Sequence, residues 1–140
     1  MPLIISVPGR RPAVCRSLVE LLDLYPTVAG LCGLEVPARL QQGQDISRML
    51  DNPGFSVREA AFSVAPSRKG FLLREDRWAF IQYEEDASGG MELYDMVNDP
   101  RQATNLARRP EHAGTVTAFR QKMVAKLASV RANDLGRKSP

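Results

Sequence analysis

Histidine is nearly absent: the 140 residues contain one, His112. A Ser-His-Asp or Cys-His arrangement would have to use it, and a metal site would gain at most one imidazole. Its place, in the first turn of an expected helix, reads more simply as a surface position. Cysteine is almost as scarce, with Cys15 and Cys32 in no shared motif. Two such thiols make no disulfide framework and behave as small hydrophobes. Long apolar runs are missing as well. The opening Leu3 to Val7 is far shorter than the roughly 18 residues of a membrane span, and it lacks the charged start and cleavage site of a signal peptide. No membrane partner is expected, and the compartment stays open. Glycines 30, 33 and 43 have neither the spacing nor the following Lys-Ser/Thr of a phosphate loop.

What is there has the balance of an ordinary folded domain: 44% hydrophobic and 25% charged residues. At this length about 70% of the unfolded surface can be buried, so one compact unit is expected without disulfides or a metal. The net charge is +3, but the nineteen Lys and Arg run from Arg10 to Lys138 with acidic residues between them. A nucleic-acid surface would cluster its cations, so no nucleic-acid partner is expected.

The apolar run Leu3 to Val7, stopped by Pro8-Gly9, has the pattern of a strand buried on both faces. No neighbour for it appears within the next fifty residues, which hints at a larger fold. Asp23 as N-cap, Pro26 in the first turn and Gly33 as a left-handed stop predict a short helix from about 24 to 32. Ile46 to Leu50 predicts another turn or two, ended by Asp51-Asn52-Pro53-Gly54.

From residue 57 the period becomes two. Ala60 to Val64, Phe71 to Arg74, Trp78 to Tyr83 and Met91 to Tyr94 predict four strands joined by antiparallel hairpins. Val116, Phe119, Met123, Leu127 and Val130 then recur at three and four residues, one stripe on a helix of about twenty residues starting near Pro110 and Glu111. Such a helix across one face of the sheet buries both apolar surfaces, an α+β fold. Arg120, Lys122 and Lys126 fall on its solvent side. Glu84-Glu85-Asp86 reads as a solvated hairpin end. Trp78, Phe80 and Tyr83 admit a sugar-stacking platform, but aromatics at strand spacing are more often core.

Several segments, in order, resemble the C-terminal part of the type I, formylglycine-dependent sulfatases of the alkaline phosphatase superfamily, most closely the iduronate-2-sulfatase-like branch. They are Pro2 to Gly9, Leu18 to Leu34, Leu40 to Ile46, Phe71 to Trp78 and Glu92 to Ala107; the last, "ELYDMVNDPRQATNLA", is the most specific. Gln42 lengthens one motif by a residue, and Gln102 stands where the family usually has Glu.

The resemblance implies residues 1–34 as the remnant of a catalytic α/β domain, 57–131 as sheet plus helix, and 132–140 as a polar tail. It also implies an absence, since the formylglycine nucleophile and calcium ligands of family members lie upstream of the strand at residues 3–7. No Asp or Glu spacing here supplies six to eight converging oxygens. Val64-Ala65-Pro66-Ser67-Arg68 imitates the family's Cys-x-Pro-Ser-Arg signature, but Val64 cannot become an aldehyde and the segment lies far downstream of the true signature.

The expected function is therefore a non-catalytic sulfatase subdomain, inactive alone, that closes the substrate cleft of a complete enzyme. Calcium and formylglycine are expected only there. Arg68 and Lys69 would contact a sulfated or carboxylated sugar, the plainer reading being exposed loop cations. The alternative is a stand-alone binding or oligomerisation module, in which the strand at 3–7 pairs with a second copy or with a missing catalytic domain.

Overall fold

The computed structural model describes residues 2–37, 42–67 and 69–132. The chain divides into two compact units, Met1–Arg58 and Glu59–Pro140, where its length alone favours one.

In the first unit a 3-10 turn, Leu21–Asp23, runs into helix α1, Leu24–Leu31. Its end is a Schellman cap. Gly33, at φ +68°, donates to the Gly30 carbonyl at 3.1 Å while Leu34 donates to that of Ala29 at 2.9 Å. A second 3-10 turn, Ser47–Leu50, follows. Gly43 lies against the Leu22 carbonyl so closely that a β-carbon would collide with it. Only glycine permits that approach.

Two expectations fail in this unit. Leu3 to Val7 forms no strand, and Ile4 is 89% exposed. Extended backbone becomes a strand only by pairing, and no neighbouring strand reaches this segment among the described residues. Asp23 precedes α1 as expected but makes no side-chain cap to it. The 3-10 turn already occupies that place, and the carboxylate turns elsewhere.

The second unit is the four-stranded antiparallel sheet and long helix that the periodicity predicts. Strands β1 (Ala61–Val64), β2 (Gly70–Arg74), β3 (Trp78–Tyr83) and β4 (Gly90–Asp95) form a meander in sequence order, followed by helix α2, Ala113–Arg131. Register puts Leu73, Phe80 and Leu93 in one row. With Phe71 they meet Val116, Phe119, Met123 and Leu127 of α2 in the core. Phe80 stacks on Phe119 at 5.6 Å between centroids. Among the described residues no helix is long and apolar enough to cross a membrane.

The β4 edge is closed by the most specific sequence motif. The Leu93 amide donates to Asn105 Oδ1 at 3.1 Å, Asn105 Nδ2 donates to the Met91 carbonyl at 3.2 Å, and the Leu106 amide donates to the Leu93 carbonyl at 2.8 Å. Residues 105 and 106 thus stand in for a fifth strand. Asn105→Ala is expected to cost about 1–3 kcal/mol, because it orphans the amide of a fully buried residue. Asn105→Asp, which keeps the acceptor, should cost less. Denaturation followed by fluorescence of Trp78, the single tryptophan, measures both; equal midpoints for wild type and Asn105→Ala would remove this role.

Candidate functional site

The β1–β2 loop carries the two cations singled out by sequence. Arg68 lies outside the described residues. Lys69 is exposed, its ammonium 3.1 Å from Glu84 Oε1 across the adjoining β3–β4 turn. The backbone fixes that meeting, since the Glu84 amide donates to the Lys69 carbonyl at 2.8 Å. Exposed pairs of this kind contribute about 0–1 kcal/mol, so Lys69 can leave Glu84 for another anion at little cost.

Beside this loop, on the sheet face away from α2, is a cluster that sequence reading missed. Tyr83 donates to Glu92 Oε1 at 3.1 Å and Tyr94 donates to Glu92 Oε2 at 2.8 Å. The bond to the Glu92 carboxylate raises both phenols, Tyr94 to about 12. At neutral pH they remain protonated donors. The available signal was the i, i+2 spacing of Glu92 and Tyr94, which puts both on one face of a strand.

The aromatics considered as a platform do not share a surface. Trp78 and Phe80 face α2 while Tyr83 is on the opposite side of β3, as alternate strand positions require. Arg77 lies over the Trp78 ring at 4.8 Å from its centroid, and His112 packs edge-on at 5.5 Å. His112 is thus half-buried against tryptophan rather than a plain surface residue. Lys122, on α2, pairs with Glu75 at 2.5 Å, and Lys126 reaches back over Phe62.

The acidic groups that fold burial would activate are instead occupied. Asp23, fully buried, accepts from the amides of Glu20 at 2.7 Å and Gln44 at 2.8 Å. It also accepts from both terminal nitrogens of Arg58, including a 2.6 Å bond from Nη2 to Oδ1. Burial pushes this carboxyl up, but the Arg58 guanidinium and the two amides together pull it below the usual carboxylate range. Arg58 also approaches Glu20, at 3.8 Å. Thr27 continues the lattice: its hydroxyl donates to the Asp23 carbonyl at 2.5 Å and accepts from the Ile46 amide at 3.0 Å.

Asp95 has the same kind of employment in the second unit. It accepts from Arg77 Nη2 at 2.8 Å, from Asn98 Nδ2 at 2.9 Å and from the amides of Val97 and Asn98. The Arg77 guanidinium foremost holds it well below the usual range. Among the described residues no three His, Cys, Asp or Glu side chains group as a metal site.

Residues 1–129 match the family described as N-sulphoglucosamine sulphohydrolase, C-terminal. Mouse arylsulfatase K is 28% identical over 119 residues, 76% of this chain and 21% of that protein. The choline-sulfatase of Rhizobium meliloti is 31% identical over 135 residues, 89% of this chain and 25% of that protein. Among solved structures, BT1596, a 2-O GAG sulfatase, shares the fold with a TM-score of 0.64 at 24% identity, over 83% of this chain and 26% of that one. The chain thus spans about a quarter or less of the length of these curated relatives.

Proposed function

This chain belongs to the family of sulfatase C-terminal domains described as N-sulphoglucosamine sulphohydrolase, C-terminal, and from that premise we propose that it is a non-catalytic subdomain of a sulfuric ester hydrolase. In a complete enzyme it closes one side of the substrate cleft, and alone it is inactive. The observation that carries this reading is the commitment of its buried carboxylates. Asp23 and Asp95 are each saturated by an arginine and backbone amides, so neither has a lone pair to spare for a metal or a reacting water.

The loop of Arg68 and Lys69 is the part of this subdomain that meets substrate. A lysine in an exposed ion pair can turn to a sulfate or carboxylate oxygen and form a charge-assisted bond there. We assign the branch as iduronate-2-sulfatase-like on the resemblance of the segments from Pro2 to Ala107 taken together, with a sulfated sugar as the substrate class. Calcium and the formylglycine nucleophile would come from the rest of such an enzyme.

The purified chain, given calcium and either an aryl sulfate or a uronate 2-sulfate, is expected to release no sulfate above the blank. Turnover that EDTA abolishes would overturn the proposal.

A further inference from the structure

On the sheet face away from α2, Tyr83 stands between two glycines. Register aligns Gly70 of β2, Tyr83 of β3 and Gly90 of β4, so neither neighbouring strand offers a side chain to cover the ring. A β-carbon at Gly70 would stand 3.7 Å from the ring, and one at Gly90 would meet nothing within 4 Å. Tyr83 is accordingly 38% exposed. Its hydroxyl is anchored at 3.1 Å on Glu92, which Tyr94 holds from the other oxygen at 2.8 Å. Gly90, Glu92 and Tyr94 alternate along β4 and share this face.

A strained turn sets the end of this surface. Glu84 and Ala87 have φ of +62° and +65°, a conformation that residues other than glycine keep only where their surroundings impose it. Gln82 imposes it here: its buried side chain donates from Nε2 to the Glu84 carbonyl at 3.2 Å and to that of Glu85 at 2.8 Å. Glu84 in turn holds Lys69, by its amide and by its carboxylate. A phenol face, a carboxylate and an ammonium are thus fixed at one end of the sheet before any ligand arrives, which lowers the cost of binding one. The two phenols each use one acceptor position of Glu92, and of the roughly four that a carboxylate has, about two remain for other donors.

We propose that Tyr83, Glu92 and Lys69 form a subsite for a pyranose ring bearing an anionic substituent, an inference that rests on the functional reading above and adds to its loop the groups that take the ring. The apolar C–H face of the sugar lies on the Tyr83 ring, which is flat, apolar and held by its hydroxyl. Hydroxyls of the sugar donate to Glu92, and its sulfate or carboxylate meets Lys69 in a charge-assisted bond. Glu92 also sets the selectivity. A bare anion gains nothing from a carboxylate and is repelled by it, whereas a ring carrying both hydroxyls and an anion uses all three groups.

The full chain is titrated with a uronate 2-sulfate disaccharide, with its desulfated counterpart and with inorganic sulfate, while backbone amide shifts are followed by NMR. The sulfated disaccharide should move the amides of Gly70, Glu84, Gly90 and Glu92. Tyr83→Ala and Tyr83→Leu should each weaken it about fivefold or more, the scale of truncating an aromatic anchor. Tyr83→Phe keeps the ring face and should stay within about twofold of wild type. Lys69→Ala should weaken the sulfated disaccharide and leave the desulfated one unchanged. Absence of disaccharide binding, undiminished affinity in Tyr83→Ala and Tyr83→Leu, or the same shifts from inorganic sulfate at the same concentrations would overturn the inference. The functional reading fails separately. Sulfate release by the chain would reject that reading and leave a Tyr83-dependent subsite standing; affinity that depends on Lys69 and ignores Tyr83 would keep the reading and reject the subsite.

Discussion

Replacing Phe80 with alanine is expected to cost about 3–5 kcal/mol, the usual consequence of deleting a buried aromatic ring. Phe80 is fully buried, is paired in register with Leu73 on one side and Leu93 on the other, and stacks on Phe119 of α2. Its removal therefore opens a void between sheet and helix at the centre of the second unit, where strands cannot close in without breaking their ladders. For a unit of this size the loss lowers the melting temperature by more than about 10 °C. Trp78 sits in the same unit, so thermal unfolding followed by its fluorescence reads the effect directly. Phe80→Leu, which refills most of the volume, should recover much of the loss. If Phe80→Ala melted within a degree or two of wild type, the sheet–helix contact described here would not be the core.

Arg58→Met should have an effect of similar size on the first unit. It leaves the Asp23 carboxylate buried without its counter-charge, and breaking a buried pair from one side costs about 3–5 kcal/mol. Adding Asp23→Asn removes that charge while an amide oxygen can still accept from Glu20 or Gln44, so the double variant should be more stable than Arg58→Met alone. Amide exchange within α1 is the measurement, because it reads this unit directly. Acid gives the same information in the wild type. The Asp23 carboxyl titrates lower folded than unfolded, so its contribution is complete above the ordinary carboxylate pKa of about 4 and fades as pH falls below it. The protection of the α1 amides, relative to their intrinsic exchange at each pH, should therefore fall below about pH 4 in wild type, and less steeply in the double variant. Insensitivity of α1 to Arg58→Met would show that the pair contributes little.

The second unit was legible because its signals are local. Ala60 to Val64 and Val116 to Val130 announce a strand and a helix by the spacing of apolar residues alone, and the observed elements begin and end within three residues of those readings. The first unit resisted. Asp23 looked like a cap for α1 because its neighbours fit that role, whereas its carboxylate turns back to the Glu20 amide and takes its other donors from Gln44 and Arg58, 21 and 35 residues away. Leu3 to Val7 looked like a buried strand, yet a strand exists only where another pairs with it. Glu92 and Tyr94 were visible as part of a motif, but not as a carboxylate held between two phenols, since Tyr83 joins them only through the β3–β4 register.

By itself the sequence determined the meander, the closing helix, the Gly33 stop and the likeness to sulfatase C-terminal segments, for periodicity and turn chemistry are properties of neighbours along the chain. Tertiary structure alone decided which carboxylates are consumed as scaffold, that the Tyr83 ring is left uncovered, and that Asn105 closes the sheet. Those outcomes depend on which distant group supplies a hydrogen bond or an apolar cover, and spacing along a chain does not encode that.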